Sequence, residues 1–281
     1  DDTGVCGFDL EHADVLLTKV MRHVEGNPIL RMATELREHH CTADARTFRK
    51  YGLPVRNMTC AEAGRWAVEH PDGVVLVIKH VVRQAINLAA RQAAGFPPLE
   101  AGPAPGERVI VTSSAGAHRT VKGDVAVVLW RAEGPPYTDM ADEPLRTWAV
   151  CLLLPGGVRR VAFVPQCSWL APDERHAGPY HPAAGRGARY ALREHTAYGG
   201  ALSGRLLTLA WGYAITTHSS QGSQWRTGLV TDARWSGSDA WRISYTAVTR
   251  FSEEEMMACL VDAPQASRAV PAERLPYGGR F

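Results

Sequence analysis

One short segment, rich in hydroxyl and amide groups, contains the side chains best suited to bind a ligand: Thr217, His218, Gln221, Gly222 and Gln224. Their donors and acceptors can hydrogen-bond to a polar group, and the glycine allows close approach of the backbone because it has no Cβ. An apolar run typical of a strand leads into the segment, and ligands of α/β sheets usually bind where strands end. The pattern is compatible with a ligand site, although residue types alone favour an ordinary polar loop.

The sequence gives little evidence for a hydrolase site, a phosphate-binding loop or a metal site. Ser219 or Ser220 with His218 would need an orienting acid and an oxyanion hole to act as a hydrolase, and the sequence supplies neither. A phosphate-binding loop of the form G-x-x-x-x-G-K-[ST] is missing; the glycines and lysine at 116–123 have the wrong spacing and are expected to form a turn. The six cysteines are scattered without a C-x-x-C pair, so no metal site is predicted and reduced thiols are expected.

The elements that must position the segment begin with an α/β unit. Asn27-Pro28 precedes an apolar pattern and predicts a helix of about three turns, because proline suits the first helical turn. The continuous β-branched run at 74–78 predicts a buried parallel strand. A helix-period segment at 81–94 follows it, which is typical of a RecA-like or Rossmann-like unit.

Breaker clusters at 96–98 and 102–106 predict a domain boundary near residue 100. Beyond it, short runs at 108–112, 124–130, 147–154 and 159–164 predict the strands of a small β-barrel. Residues 173–204 lack periodicity and indicate an irregular connection. Strand-like runs at 206–217 and 227–232 and a helical run at 245–250 then complete the first domain, and a loose tail is expected at the end.

Composition limits the partners. The formal net charge is +2, so any nucleic-acid contact must come from a local surface and not from the chain as a whole. No apolar run approaches the ~20 residues of a membrane span, which predicts a cytoplasmic protein without a membrane contact. The chain begins with Asp1 instead of methionine, so a piece of a longer protein is expected.

Three segments carry a resemblance to a known family. The sequence GYAITTHSSQGSQW at 212–225 resembles motif V of superfamily 1 DNA helicases, most closely the RecD-like and Dda-type 5′-to-3′ branch, in their UvrD-like C-terminal domain. The sequence YTAVTR at 245–250 resembles motif VI of this family. LTKVMR at 17–22, followed by Asn27-Pro28-Ile29, resembles motif IV. The residues between about 104 and 195 then resemble the SH3-like β domain that this branch inserts between motifs IV and V.

The resemblance implies roles for individual residues. Arg250 and Arg22 match arginine fingers, which stabilise charge on the γ-phosphate of ATP and are worth roughly 10³ to 10⁵ in rate. Gln221, Gly222 and Gln224 match positions near the nucleotide, and Thr217 and His218 match contacts to the backbone of single-stranded DNA. ATP and Mg²⁺ would be bound mainly by a first RecA-like lobe, which this chain lacks. That lobe would belong to the same parent chain or to a partner chain.

The sequence therefore predicts a RecA-like P-loop NTPase lobe with an inserted SH3-like barrel. The expected divisions are residues 1–103 and 196–262 for the lobe, 104–195 for the insertion with its irregular connection, and 263–281 for the tail. We expect the second motor lobe of an ATP-dependent DNA helicase or translocase, inactive without its first lobe. The alternative is a non-catalytic nucleic-acid-binding module derived from such a lobe. A phosphate loop in preceding residues or in a partner chain would separate the two.

The match to the family is incomplete at two places. Lys79-His80 stands where relatives commonly have Thr-Asn in motif IVa, although 83–87 still fit, so the DNA contact there is open. Phe251 replaces the usual alanine after the arginine of motif VI. The acidic run at 253–255 that follows is expected to cap or solvate a helix.

Overall fold

The computed structural model describes residues 27–98, 101–112, 123–135, 146–166, 207–231 and 240–251, and the backbone of 256–261. Arg22 and the rest of the segment at 17–22, most of the predicted turn at 116–123, the irregular connection at 173–204 and the proposed tail lie outside these residues. The helices are α1 (Pro28–His39), α2 (Ala45–Lys50), α3 (Cys60–Glu69), α4 (His80–Ala93) and α5 (Ala240–Val248). The strands are β1 (Val55–Met58), β2 (Gly73–Val77), β3 (Arg108–Val111), β4 (Val125–Glu133), β5 (Thr147–Leu154), β6 (Val158–Pro165), β7 (Leu209–Trp211), β8 (Ala214–Thr216), β9 (Thr227–Thr231) and β10 (Met256–Val261).

A parallel sheet forms the centre of the α/β part. Its strand order is β1-β10-β9-β2-β8, and every neighbouring pair is parallel. All five residues of β2 are buried, as expected for a strand covered on both faces. The prediction of a buried parallel strand is thus confirmed, with a shift of one residue.

Helices cover both faces of this sheet. α1, α2 and α5 pack with Val74, Leu76 and Ile215 on one face. α3 and α4 pack with Val75 and Val77 on the other, because successive strand residues point to opposite faces. The described part of the chain contains no helix that is both long and apolar enough to cross a membrane.

Local signals explain where the helices begin. The Asn27 side chain accepts a hydrogen bond from the Ile29 amide at 2.7 Å, and Pro28 occupies the first turn, so α1 starts as predicted. Thr59 and Glu62 form a capping box at α3, in which each side chain bonds to the other's backbone amide.

A second sheet of five antiparallel strands follows, in the order β6-β5-β4-β3-β7. All four strands predicted between 108 and 164 are present. The amide of Leu207, just before β7, bonds to the carbonyl of Phe163 in β6 at 2.9 Å, which brings the two outer strands of the sheet together.

The run at 206–217 differs from its prediction as one strand. β7 pairs with β3 in the antiparallel sheet, whereas β8 pairs with β2 in the parallel sheet. Between them, a Cβ on Gly212 would lie 2.9 Å from the backbone of Val109, so only glycine fits where the chain passes between sheets. Alternation along a strand says which face a residue occupies and does not say which sheet the strand joins.

Four elements were not predicted from the sequence: α2, β1, α3 and β10. α2 is only six residues long, and β1 is a sheet edge with an exposed centre, so neither has a long apolar period. α5 begins at Ala240, five residues before the predicted helix start at 245, and ends at Val248, before Arg250.

Candidate functional site

The polar segment crosses the parallel sheet from one edge to the other. Thr216, the last residue of β8, is paired with Val77 at the carboxyl edge of the strands. Thr227, the first residue of β9, is paired with Gly73 at the amino edge. Residues 217–226, which we call the crossing segment, therefore connect two opposite edges, with β2 lying between β8 and β9.

At the carboxyl edge the crossing segment begins with the 3-10 turn Thr217–Ser220. The Thr216 hydroxyl caps this turn by accepting from the Ser219 amide at 3.4 Å. The Thr217 hydroxyl donates to the Val77 carbonyl at 3.4 Å, and the Ser220 hydroxyl donates to the Thr217 carbonyl at 2.6 Å. Both side chains are buried, so they hold the turn against the sheet, and Ser220 is not placed to act as a nucleophile.

His218 is exposed on the same turn. Of the two residues predicted to contact DNA, His218 therefore presents its side chain to solvent, whereas Thr217 directs its hydroxyl into the protein. Thr217 fixes the turn to the sheet through its bond to Val77. Its side chain is not available to a phosphate in this arrangement, because it is only 2% exposed.

The three residues predicted near the nucleotide follow the turn and are exposed: Gln221, Gly222 and Gln224. Gly222 has a φ of +90°, and a Cβ there would meet nothing within 4 Å. The backbone conformation, and not lack of space, therefore requires glycine at this position.

Arg250 lies against this part of the crossing segment, just after α5. Its guanidinium donates to the carbonyls of Thr246 and Ser223 at 3.2 and 3.4 Å and to the Thr249 hydroxyl at 3.3 Å. The Trp225 amide also bonds to the Arg250 carbonyl at 2.9 Å. The structure thus brings together the two segments that resemble motifs V and VI.

Phe251 stands where the helicases that the sequence resembles usually have alanine, and Gly228 in β9 makes room for its ring. Phe251 is fully buried. A Cβ on Gly228 would overlap the Phe251 ring and would lie 2.6 Å from the Val74 carbonyl oxygen. The absence of a side chain at 228 therefore allows an aromatic ring next to Arg250.

The antiparallel sheet touches the crossing segment at Gly123, just before β4. The Ser223 hydroxyl donates to the Gly123 carbonyl at 3.4 Å. A Cβ on Gly123, which has a φ of +105°, would lie 3.2 Å from the Ser219 carbonyl oxygen. The sequence analysis did not single out this contact, because it joins residues 100 positions apart.

Asn87 of α4 holds the strand that leads into the crossing segment, a role that the sequence pattern alone does not indicate. Its Oδ1 accepts from the amides of Tyr213 and Ala214 at 3.2 and 2.8 Å, and its Nδ2 donates to the Ala214 carbonyl at 2.8 Å. β8 is an edge strand of the sheet in the described part of the chain, and this amide makes the hydrogen bonds that a neighbouring strand would make. Asn87 thereby fixes the strand that carries the 3-10 turn.

Two buried arginines join the sheets close to β8. Arg91 pairs with Glu107, which also accepts from the Ala104 amide at 2.9 Å. Burial raises the pKa of the Glu107 carboxyl to about 7, although Ala104 and Arg91 both favour its charged form. Arg108 donates to the carbonyls of Pro71, Gly73 and Ala67 at 2.7 to 2.8 Å.

Tyr213 is held by the second of these arginines. The Arg108 guanidinium lies 4.8 Å from the Tyr213 ring centroid, and burial lowers the pKa of Arg108 to about 10. The residue that leads into β8 is therefore fixed by Asn87 on one helix and by Arg108 on the antiparallel sheet. Among the residues that the structure describes, no group of three or more His, Cys, Asp or Glu could hold a metal ion.

Comparison with known proteins found no matching family model and no matching curated protein. Solved structures of Pif1 helicases align with most of the chain. Pif1 from Candida albicans aligns with a TM-score of 0.48 and 12% identity, over 86% of this chain and 55% of that one. Pif1 from Bacteroides in complex with ADP-AlF3 and ssDNA aligns with a TM-score of 0.45 and 10% identity, over 87% and 51%. The chain spans about half the length of these helicases.

Proposed function

We propose that this chain is the second motor lobe of an ATP-dependent superfamily 1 DNA helicase or translocase of 5′-to-3′ polarity. The antiparallel sheet would be its SH3-like insertion. One observation carries the proposal: the two segments that resemble motifs V and VI are separate in sequence, yet Arg250 hydrogen-bonds directly to Ser223 of the crossing segment, 27 positions earlier. An accidental match of either segment would not require this contact.

The nucleotide end of the site lies where Arg250 meets the segment. Gln221, Gly222 and Gln224 are exposed beside it, and the Arg250 guanidinium is positioned there by its hydrogen bond to Ser223. With ATP and Mg²⁺ held by a first lobe, Arg250 and Arg22 would approach the γ-phosphate when the two lobes close. Because this contact exists only in the closed state, hydrolysis would be coupled to lobe movement.

The DNA end lies at the opposite edge of the sheet, at His218. The ten residues of the crossing segment join the two ends, and its turn is fixed to β2 by the Thr217 hydroxyl. A shift of Arg250 toward nucleotide would therefore pull on the turn that carries His218. Through this segment, binding or hydrolysis of ATP at Arg250 would change how strongly the turn of His218 binds single-stranded DNA.

The test is DNA-stimulated ATP hydrolysis by the protein joined to its first lobe, in the parent chain or by addition of the partner chain. Arg250→Ala should reduce turnover by roughly 10³-fold or more, and Arg250→Lys should restore little, because lysine lacks the planar fork. Arg65→Ala, at an exposed site on α3, is the matched control and should leave turnover unchanged.

Equal turnover in Arg250→Ala and wild type would refute the arginine-finger role. Single-stranded DNA binding without any hydrolysis, even with the first lobe present, would support the non-catalytic binding module instead. The chain by itself is expected to show no meaningful hydrolysis of ATP.

A further inference from the structure

A stack of side chains lies where α1 ends and α5 begins. The imidazole of His40 lies 4.4 Å from the Trp241 ring, centroid to centroid, at an interplanar angle of 20°. The guanidinium of Arg242 lies 5.4 Å from the centroid of the same indole. His40 is exposed and Trp241 is half-buried, so the stack ends in an imidazole that faces solvent.

The backbone of His40 is held in an uncommon conformation. It has a φ of 50° and a ψ of 36°, in the left-handed region, and is the one non-glycine residue with positive φ in the described ranges. Side chains in this region are uncommon, and glycine adopts it without strain. Glycine would end α1 in this conformation without strain, so the histidine side chain is not needed for the backbone turn itself.

The stack lies at the same edge of the parallel sheet as His218. α5 follows β9 and precedes β10, which are parallel, so α5 runs from the carboxyl edge back to the amino edge. Trp241, its second residue, is therefore at the carboxyl edge, whereas Arg250 is at the amino edge. The 3-10 turn that carries His218 packs against α5.

We propose that His40 and Trp241 form a base-stacking platform for single-stranded DNA. This inference rests on the proposed function. It adds to the phosphate contact at His218 a second contact, in which aromatic side chains stack on the bases. A base would stack on the face of the His40 imidazole that is turned away from Trp241. Arg37, exposed in the last turn of α1, supplies positive charge for an adjacent phosphate.

The chemistry favours single-stranded over duplex DNA. Bases in a duplex are already stacked on their neighbours, whereas those in a single strand offer free faces to aromatic side chains. Stacking on an aromatic group depends little on base identity, so the platform should hold a strand without selecting its sequence.

His40→Gly is the informative variant, because it removes the imidazole and suits the left-handed backbone. Binding is measured by fluorescence anisotropy of the full chain with a fluorescein-labelled 15-mer of thymidylate, and with a matched strand of abasic sites that keeps the phosphates. We expect His40→Gly to bind thymidylate about tenfold more weakly, to bind the abasic strand as wild type does, and to resist urea at least as well as wild type. His39→Ala, one position earlier, is the control and should bind both strands like wild type.

The results distinguish failure of the base-stacking platform from failure of the proposed DNA-binding function. If His218→Ala weakens binding while His40→Gly does not, the platform is wrong and the DNA surface at His218 stands. An equal loss on both strands in His40→Gly would also refute stacking. If wild type binds neither strand, the DNA surface and its extension are both wrong.

Discussion

Replacing Asn87 by alanine tests whether one amide fixes β8, the strand that leads into the 3-10 turn of His218, where we propose that DNA binds. The side chain makes three hydrogen bonds, to the Tyr213 amide and to the amide and carbonyl of Ala214, at 2.8 to 3.2 Å. Asn87, Tyr213 and Ala214 are all buried, at 5% exposure or less. Alanine would leave three backbone groups without these partners and out of reach of bulk water.

The magnitude follows from the number of groups left unpaired. A buried donor or acceptor that loses its partner costs about 1 to 3 kcal/mol, and some relaxation or water entry would reduce the sum. We therefore expect Asn87→Ala to lower the free energy of unfolding by about 3 to 5 kcal/mol. That is a large part of the ~5 to 15 kcal/mol by which domains are stable. Because β8 leads directly into the 3-10 turn, binding of single-stranded DNA should weaken as well.

Urea unfolding followed by circular dichroism measures the first effect, and anisotropy with the thymidylate 15-mer measures the second. Gln84→Ala is the matched control, since it removes an exposed amide from the same helix and should change stability by less than about 0.5 kcal/mol. If the free energy of unfolding of Asn87→Ala lies within about 1 kcal/mol of wild type, the Asn87 side chain does not fix β8. A destabilised variant that still bound DNA like wild type would show that the position of β8 does not affect DNA binding.

Two further predictions concern the buried charge and the packing beside Arg250. The pKa of Glu107 is raised from 4.5 to about 7 by burial, so the folded state holds more protons than the unfolded state between these values. The free energy of unfolding should therefore fall as pH rises through this window, by up to about 3 kcal/mol. Glu107→Gln should abolish this slope even though it weakens the fold; parallel urea profiles for the two proteins at pH 5 and 7.5 would contradict the pKa shift. Gly228→Ala should cost about 1 to 3 kcal/mol by overpacking against Phe251. Its combination with Phe251→Ala should cost less than the two single changes together, and strictly additive urea midpoints would show that the ring and position 228 do not interact.

Local patterns in the sequence were sufficient for several elements. A proline after asparagine specified the start of α1, a β-branched run specified β2, and alternating runs with glycine and proline between them specified the strands of the antiparallel sheet. These signals depend on neighbouring residues only, since capping, burial on both faces and turn formation act over a few positions. The exposed amides and glycine of the crossing segment were also singled out from the sequence.

The sequence could not show how that segment is used. Alternation from 206 to 217 does not reveal that the chain changes sheets at Gly212, because the change depends on a backbone approach to Val109. A threonine in a polar run does not reveal that its hydroxyl is directed to the Val77 carbonyl.

Only the tertiary structure placed Arg250 on Ser223, Asn87 on β8 and His40 on Trp241. Each of these contacts joins residues on different elements, and its geometry is set by helix packing and strand register instead of local preference. The sequence by itself determined which side chains could bind phosphate or nucleotide. The fold decided that they lie at two opposite edges of one sheet, because parallel strands and their returning helices place the end of a strand and the end of the next helix at opposite edges.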